Sequence, residues 1–213
     1  MTTQRISPDR RAELKARHRQ AILDAADSLI RERGKPQFSV DELAERADVA
    51  RRTIFNHFSS LDEVIMLTCT RVISDAVDEF RAATAASPSD GSPAAVFEDI
   101  ISVVRGMDLP TVVAYLWGVL AVSDDDVRTH RPLDYVFSRA TTELAADLAG
   151  RGSESDAFEI EILVSSLMSG VAVVARQWIM RTGATLDDAS RKTWDELFDR
   201  LLSSVRDGYS RTD

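Results

Sequence analysis

Residues 38–64 read FSVDELAERADVARRTIFNHFSSLDEV, and the fold turns on how this stretch is parsed. Ser39 followed three residues later by Glu42 is a capping box, in which each side chain satisfies a free backbone N–H of the other residue. It predicts a helix over 39–47 with Val40, Leu43, Ala44 and Ala47 facing a core. Asp48-Val49-Ala50 then reads as a three-residue turn, with Val49 apolar enough to plug the angle between two helices. A third helix is predicted over 51–58. Ser60 and Glu63 repeat the box and open a fourth helix over 61–85, with Val64, Ile65, Thr68, Val72, Ala76 and Phe80 inward. Short helix, three-residue turn, short helix is the spacing of a DNA-reading helix-turn-helix.

The third helix carries side chains suited to that task. At about 100° per residue, Ile54, Phe58 and Phe55 fall on one arc, while Arg52, Thr53, Asn56 and His57 fall on the other. The outer arc offers a guanidinium for guanine, an amide for adenine, and hydroxyl or imidazole groups for phosphate. Arg51 lies on the inner arc at the first turn, so its stem must curl outward, toward a phosphate rather than a base. A small amphipathic helix with a solvated polar face has the same composition. The turn spacing, the two capping boxes and the basic segment before them favour the DNA reading.

Working outward, Ile22, Ala26, Leu29 and Ile30 form the stripe of a first helix that ends at Gly34 and Pro36. Downstream, helical spacing predicts helices over 94–105, 110–122, 124–149, 155–181 and 186–209, with a break at residues 86–93. No alternating strand pattern persists, so the class is all-α. The chain of 213 residues has a net charge of −9, which by itself argues against nucleic acid. Its distribution argues the other way. Residues 1–60 hold 12 Lys and Arg against 9 Asp and Glu, a net of +3, and the remainder nets −12. A basic arm on an acidic body is the pattern expected of a nucleic-acid binder. Cys69 is the only cysteine, which rules out an intramolecular disulfide and reads as a small buried group in a reducing cytosol. The most apolar stretch, Ile162 to Ala175, is bounded by Glu161 and Arg176. A bilayer needs about 20 apolar residues, so a buried helix rather than a membrane span is expected there.

From Arg17 to Val64 the chain resembles the DNA-binding domain of the tetracycline-repressor (TetR) family, most closely in ELAERADVARRTIFNHFSSLDEV. The resemblance implies an N-terminal DNA-binding domain over 1–60 and a helical ligand-binding and dimerisation domain over 61–213. It implies that Ser39 and Val40 lie near DNA, and that Arg51, Arg52, Thr53, Phe55, Asn56 and His57 line the recognition helix. It also implies a homodimer on a pseudo-palindromic double-stranded operator, acting as a cytoplasmic repressor released by a ligand. The chain departs from the family pattern at four positions. Asp48 stands where Gly is frequent, Ala50 replaces a hydroxyl cap, Phe55 stands where Tyr is common, and Leu61 stands where Lys is common.

Beyond residue 94 no catalytic signature occurs: no phosphate loop, no histidine pair at metal-binding spacing and no cysteine cluster. The histidines are His18, His57 and His130, and the run Asp124-Asp125-Asp126 complements a helix dipole more readily than it binds a metal. No enzyme activity and no cofactor are expected. An enzyme or carrier with a merely structural N-terminus, and a ligand-independent DNA-binding dimer, are the rival readings. Phe97, Met107, Tyr115, Trp117, Phe137, Met168 and Trp178 are candidates to line a pocket for a small apolar effector, although plain core is the alternative for each. The helix over 155–181 is apolar nearly all round and needs cover on two sides, from the monomer core or from a partner. A subunit interface there would involve Leu163, Leu167, Gly170, Val171 and Val174. Trp194, Phe198 and Leu201 of the last helix would complete a four-helix bundle across a two-fold axis.

Overall fold

A computed structural model of the chain describes residues 8–86, 92–120, 141, 142, 144–146, 148, 150 and 157–209. Every regular element among them is helical, as the sequence predicts. The helices are α1 (Pro8–Arg33), α2 (Val40–Arg46), α3 (Arg51–His57), α4 (Leu61–Ala85), α5 (Pro93–Gly106), α6 (Leu109–Leu120), α7 (Ala157–Thr182) and α8 (Asp188–Tyr209). Of the helix predicted over 124–149, residues 141, 142, 144–146 and 148 are helical. Phe137, His130 and Asp124–Asp126 lie outside the described residues.

Local chemistry sets the boundaries. The Ser39 hydroxyl accepts from the Glu42 N–H at 3.2 Å, and the Glu42 carboxylate accepts from the Ser39 N–H at 2.7 Å, so the first capping box is complete. The second is rearranged. Ser60 Oγ accepts from the Glu63 N–H at 3.1 Å, but the Glu63 carboxylate reaches one residue further back, to the N–H and hydroxyl of Ser59, both at 2.6 Å. Between α2 and α3, the Val49 N–H bonds the Ala44 carbonyl at 3.0 Å and the Asp48 N–H bonds that of Glu45 at 3.2 Å. This is a Schellman ending, whose left-handed position is filled by Asp48 at φ 51°.

Two apolar clusters result. The first gathers Ile22, Ala26 and Ile30 of α1, Leu43 of α2, Ile54 of α3 and Val64 of α4, with Tyr115 and Val119 of α6 joining from the far side. The second gathers the lower part of α4 with α5, α7 and α8. Both draw on α4, whose 25 residues extend about 37 Å. Arg71 clamps it to α1, donating to Asp24 at 2.7 Å and to the Leu23 carbonyl at 3.3 Å. Cys69 is fully buried on α4, and burial pushes its thiol up to about 12, which leaves it protonated and inert.

Helix α6 touches both clusters, and a glycine makes its closest approach possible. A Cβ at Gly118 would lie 2.2 Å from the Gly34 carbonyl oxygen at the end of α1, so any side chain there forces the helices apart. The long helix α7 runs 26 residues and, by length and composition, could cross a bilayer, which the shorter apolar stretch in the sequence did not suggest. Ile160, Leu163, Val164, Leu167, Val174 and Trp178 on it are buried against the protomer's own core.

Candidate DNA-reading face and apolar cavity

Helix α2 is fastened to α1 by two exposed ion pairs. Arg33 meets Glu42 at 2.6 Å, and Arg46 grips Glu32 through two bonds of 2.5 and 2.9 Å. The Arg33 guanidinium, with the Ser39 backbone N–H second, holds the Glu42 carboxyl down to about 2. Arg46 likewise holds Glu32 below the usual carboxylate range. Solvent-exposed pairs add little stability, so their effect is orientation: α2 cannot rotate on α1 without breaking both. With α2 and the turn held, α3 is presented at a defined angle.

The face that α3 presents differs from the sequence expectation. Ile54 and Phe58 are buried, as predicted. Phe55, expected on the inner arc, is 52% exposed, whereas Thr53 and His57, expected outward, are half-buried. The exposed set is Arg51, Arg52, Phe55 and Asn56. Two causes rotate the face. The helix ends at His57, and Phe58 turns away in extended conformation (φ −137°, ψ 141°), so Phe58 no longer marks the inner side of a helical wheel. In addition, α1 packs over the His57 side. The Arg19 guanidinium lies 4.7 Å from the Phe58 ring centroid and donates to the His57 carbonyl at 3.4 Å, and the His18 ring stands edge-on to His57 at 6.2 Å. His57 Nδ1 is buried without a hydrogen-bond partner. Burial first, and the neighbouring His18, Lys15 and Arg19 next, hold its imidazole below the ordinary histidine value.

Of the remaining residues expected near DNA, Ser39 is exposed but occupied as the α2 cap, and Val40 is half-buried against the first cluster. Arg51 has curled outward as expected, and there it pairs with Asp41 of α2 at 3.0 Å. Arg52 and Asn56 remain open to solvent on the same face. Ala50, in the cap position of α3, makes no side-chain bond to the helix.

At the opposite end of α4 lies an apolar cavity of about 150 Å³. Its wall is built from α4 (Ile73, Val77, Phe80), α5 (Ile101), α6 (Val113) and their neighbours on α7 and α8, and no polar atom of the described residues lines it. Of the seven side chains expected to line a pocket, Met107 and Met168 do so. Phe97 is buried in the second cluster under the Arg206 guanidinium, 5.8 Å from its ring. Tyr115 faces α1, with the Arg31 guanidinium 5.2 Å from its ring, and Trp117 is 42% exposed. Trp178 is fully buried away from the cavity, donating its indole N–H to the Ser190 carbonyl at 2.8 Å and meeting Trp194 edge-on at 5.5 Å. The smaller aliphatic residues of α4, α5 and α6 that line the cavity do not stand out in the sequence, because their helical spacing is that of any core.

Among the residues expected at a subunit interface, Leu163, Val174 and Trp194 are buried within the protomer, and Leu167, Val171 and Phe198 line the cavity. Gly170 admits Leu201 of α8, whose Cδ1 would lie 2.2 Å from a Cβ there. The open side of α7 instead carries Phe158, Ile162, Val173 and Met180, exposed by 67, 43, 48 and 74%.

Comparison with known proteins bears on this arrangement. Residues 22–65 match the family pattern of bacterial regulatory proteins, tetR family. No curated protein matches the chain in sequence. Among solved structures, a tetR-family transcriptional regulator from Mesorhizobium loti is similar at TM-score 0.64 and 17% identity, over 90% of this chain and 96% of that one. A transcriptional regulator from Pseudomonas aeruginosa is similar at TM-score 0.58 and 15% identity, over 98% and 94%. The multidrug binding protein EbrR, complexed with imidazole, is similar at TM-score 0.50 and 20% identity, over 87% and 92%. Identities this low establish a shared fold, whereas the match over residues 22–65 falls on the helix-turn-helix itself. Residues 22–65 thus carry the DNA-binding pattern of bacterial regulatory proteins of the tetR family, in a chain that shares the fold of tetR-family transcriptional regulators.

Proposed function

We propose that two copies of this chain form a repressor that grips a pseudo-palindromic operator and releases it when a small apolar molecule fills the cavity. One observation supports this above the others: α4 begins beside the recognition helix and, about four turns later, forms a wall of the cavity. We divide the roles at residue 60, with 1–60 reading DNA and 61–213 sensing and dimerising.

Arg52 and Asn56 would read base edges in the major groove, with Arg51 and the basic residues of α1 on phosphates. A dimer binds well only when its two recognition helices sit about 34–36 Å apart, one turn of DNA. A guest in the cavity acts by its differential affinity for the dimer spacing that fits and the spacing that does not. A void of about 150 Å³ is the scale that takes one apolar ring, and among the described residues its wall offers a polar group nothing to bond. Two helices could carry the shift. Besides α4, α6 lines the cavity with Val112, Val113 and Leu116 and rests Gly118 on the end of α1. The exposed stripe Phe158, Ile162, Val173 and Met180 of α7 is the surface a second copy would cover, in place of lipid. Regulators of this family act as dimers. A protein with this proposed work on DNA would act in the cytoplasm.

Selection of bound duplexes from random DNA tests the proposal. The expected result is a palindrome with half-sites one turn apart, bound with an affinity that falls steeply with salt as counterions are displaced. A preparation that ignores every duplex at low ionic strength would refute it.

A further inference from the structure

The open face of α3 is not uniformly polar. Phe55 lies in its midst, on the exposed side with Arg51, Arg52 and Asn56, and its ring is 52% exposed. No aromatic or guanidinium contact engages that ring among the described residues. Its neighbours on the buried side, Ile54 and Phe58, fill the space beneath the helix, so Phe55 cannot turn in to join them without displacing one. An unsheltered phenyl ring at this point gains when another surface takes it out of water.

Resting on the DNA-binding reading, we propose that Phe55 reads the C5-methyl group of a thymine in each operator half-site. The reasoning is chemical. Phe has no donor or acceptor, so it cannot bond a phosphate oxygen or a polar base edge. Among the groups that base pairs display in the major groove, the thymine methyl is the apolar one, and phenylalanine is among the side chains suited to meet it. Arg52 and Asn56, flanking the ring, are equipped for guanine and adenine. The three together describe a half-site in which a thymine lies beside the bases held by hydrogen bonds. The exposure of Phe55 carries this inference. Were the ring inward, as helical periodicity alone expects, the face would read hydrogen bonds only.

The test exchanges thymine for deoxyuridine, one position at a time, in an operator obtained by selection. That exchange removes a methyl group and leaves every hydrogen-bonding group in place. Transfer of one methyl group corresponds to about a fourfold loss of affinity per half-site, and about fifteenfold when both half-sites are changed. The loss should occur at one thymine of each half-site, be absent in Phe55→Ala, and be retained in Phe55→Leu, which keeps an apolar contact. Because Phe55 is exposed, both variants should melt with the parent, and that measurement separates a contact effect from misfolding. The inference is overturned if every thymine tolerates uracil, or if Phe55→Ala still senses the methyl group. Sequence-specific binding that is indifferent to uracil sinks this inference alone, whereas binding to no duplex at all sinks the DNA-binding reading with it.

Discussion

The two ends of α4 are built on opposite principles. Around its first turn the apolar cluster is filled, with Ile22, Leu43, Ile54 and Val64 between 0 and 1% exposed, and the outer surface is cross-tied by Arg33–Glu42, Arg46–Glu32 and Arg51–Asp41. Around its last three turns the packing leaves about 150 Å³ unfilled. Protein interiors normally pack to the density of organic crystals, so a void of that size forgoes contact energy that most cores keep. A reading head must hold its side chains at a fixed angle. A chamber that senses a guest, as proposed, would gain by being filled, and no polar atom of the described residues lines this one.

The sharpest way to break this comparison is to attack the second cluster where it is fully packed. Trp178→Ala removes a buried indole, its bond to the Ser190 carbonyl and its contact with Trp194, and should cost about 3–5 kcal/mol in urea unfolding. If the loss is under about 1 kcal/mol, this end of the molecule is soft throughout and not merely hollow at the cavity.

The opposite behaviour is expected at the reading face. Arg52→Ala or Asn56→Ala should leave the melting temperature unchanged, because both side chains are exposed. Each should nevertheless reduce operator discrimination by about 1–3 kcal/mol, measured by competition between selected and scrambled duplexes. A change in stability with no change in discrimination would reverse the roles assigned to the two regions.

Acid should weaken the seam between α1 and α3. The native environment holds His57 below its ordinary value, so folding favours the neutral ring. The stability tied to this group is therefore complete above about pH 6.5 and is lost as pH falls through that value toward the lower folded one. Half-buried beside His18, Lys15 and Arg19, the protonated ring would meet groups of its own sign. Unfolding free energy should decline from pH 7 to pH 5, and His57→Gln should flatten the decline. An unchanged slope would show that other groups carry it.

The smallest effect is expected at the turn. Asp48 holds a left-handed backbone at φ 51°, which glycine adopts without a Cβ penalty. Asp48→Gly should raise stability by about 0.5–1 kcal/mol, detectable as a rise of a few degrees in Tm, with DNA binding unaltered. A loss would mean that the Asp48 side chain contributes something its backbone does not.

Much of the helical framework was legible in the chain. The bounds of α2, α3 and α4 fall within a residue of expectation, because each rests on a cap or turn formed by residues no more than five apart. Legibility declines with the reach of the interaction. The second capping box kept its Ser60 bond, but Glu63 found Ser59 instead, a choice set by the path of the chain into the helix. The rotation of α3 was hidden because a helical wheel assumes that all eight residues belong to the helix, and Phe58 does not. The cavity was harder still. Large aromatic residues drew attention as pocket candidates, yet Phe97 and Trp178 are fillers by virtue of their size. A void is defined by what smaller residues on several helices leave empty.

The sequence by itself determined the all-helical class, the placement of the helix-turn-helix, the basic N-terminal segment and the burial of Cys69. These follow from hydrogen-bond caps, periodicity and charge counts that operate over a few neighbouring residues. Only the tertiary structure decided which side of α3 meets solvent, that α6 rests on the end of α1 through Gly118 and Gly34, and that residues of α4, α5, α6, α7 and α8, with Leu144, surround an apolar chamber. Such features depend on which remote segments cover a given surface. Coverage is settled when the helices dock, not when each one forms.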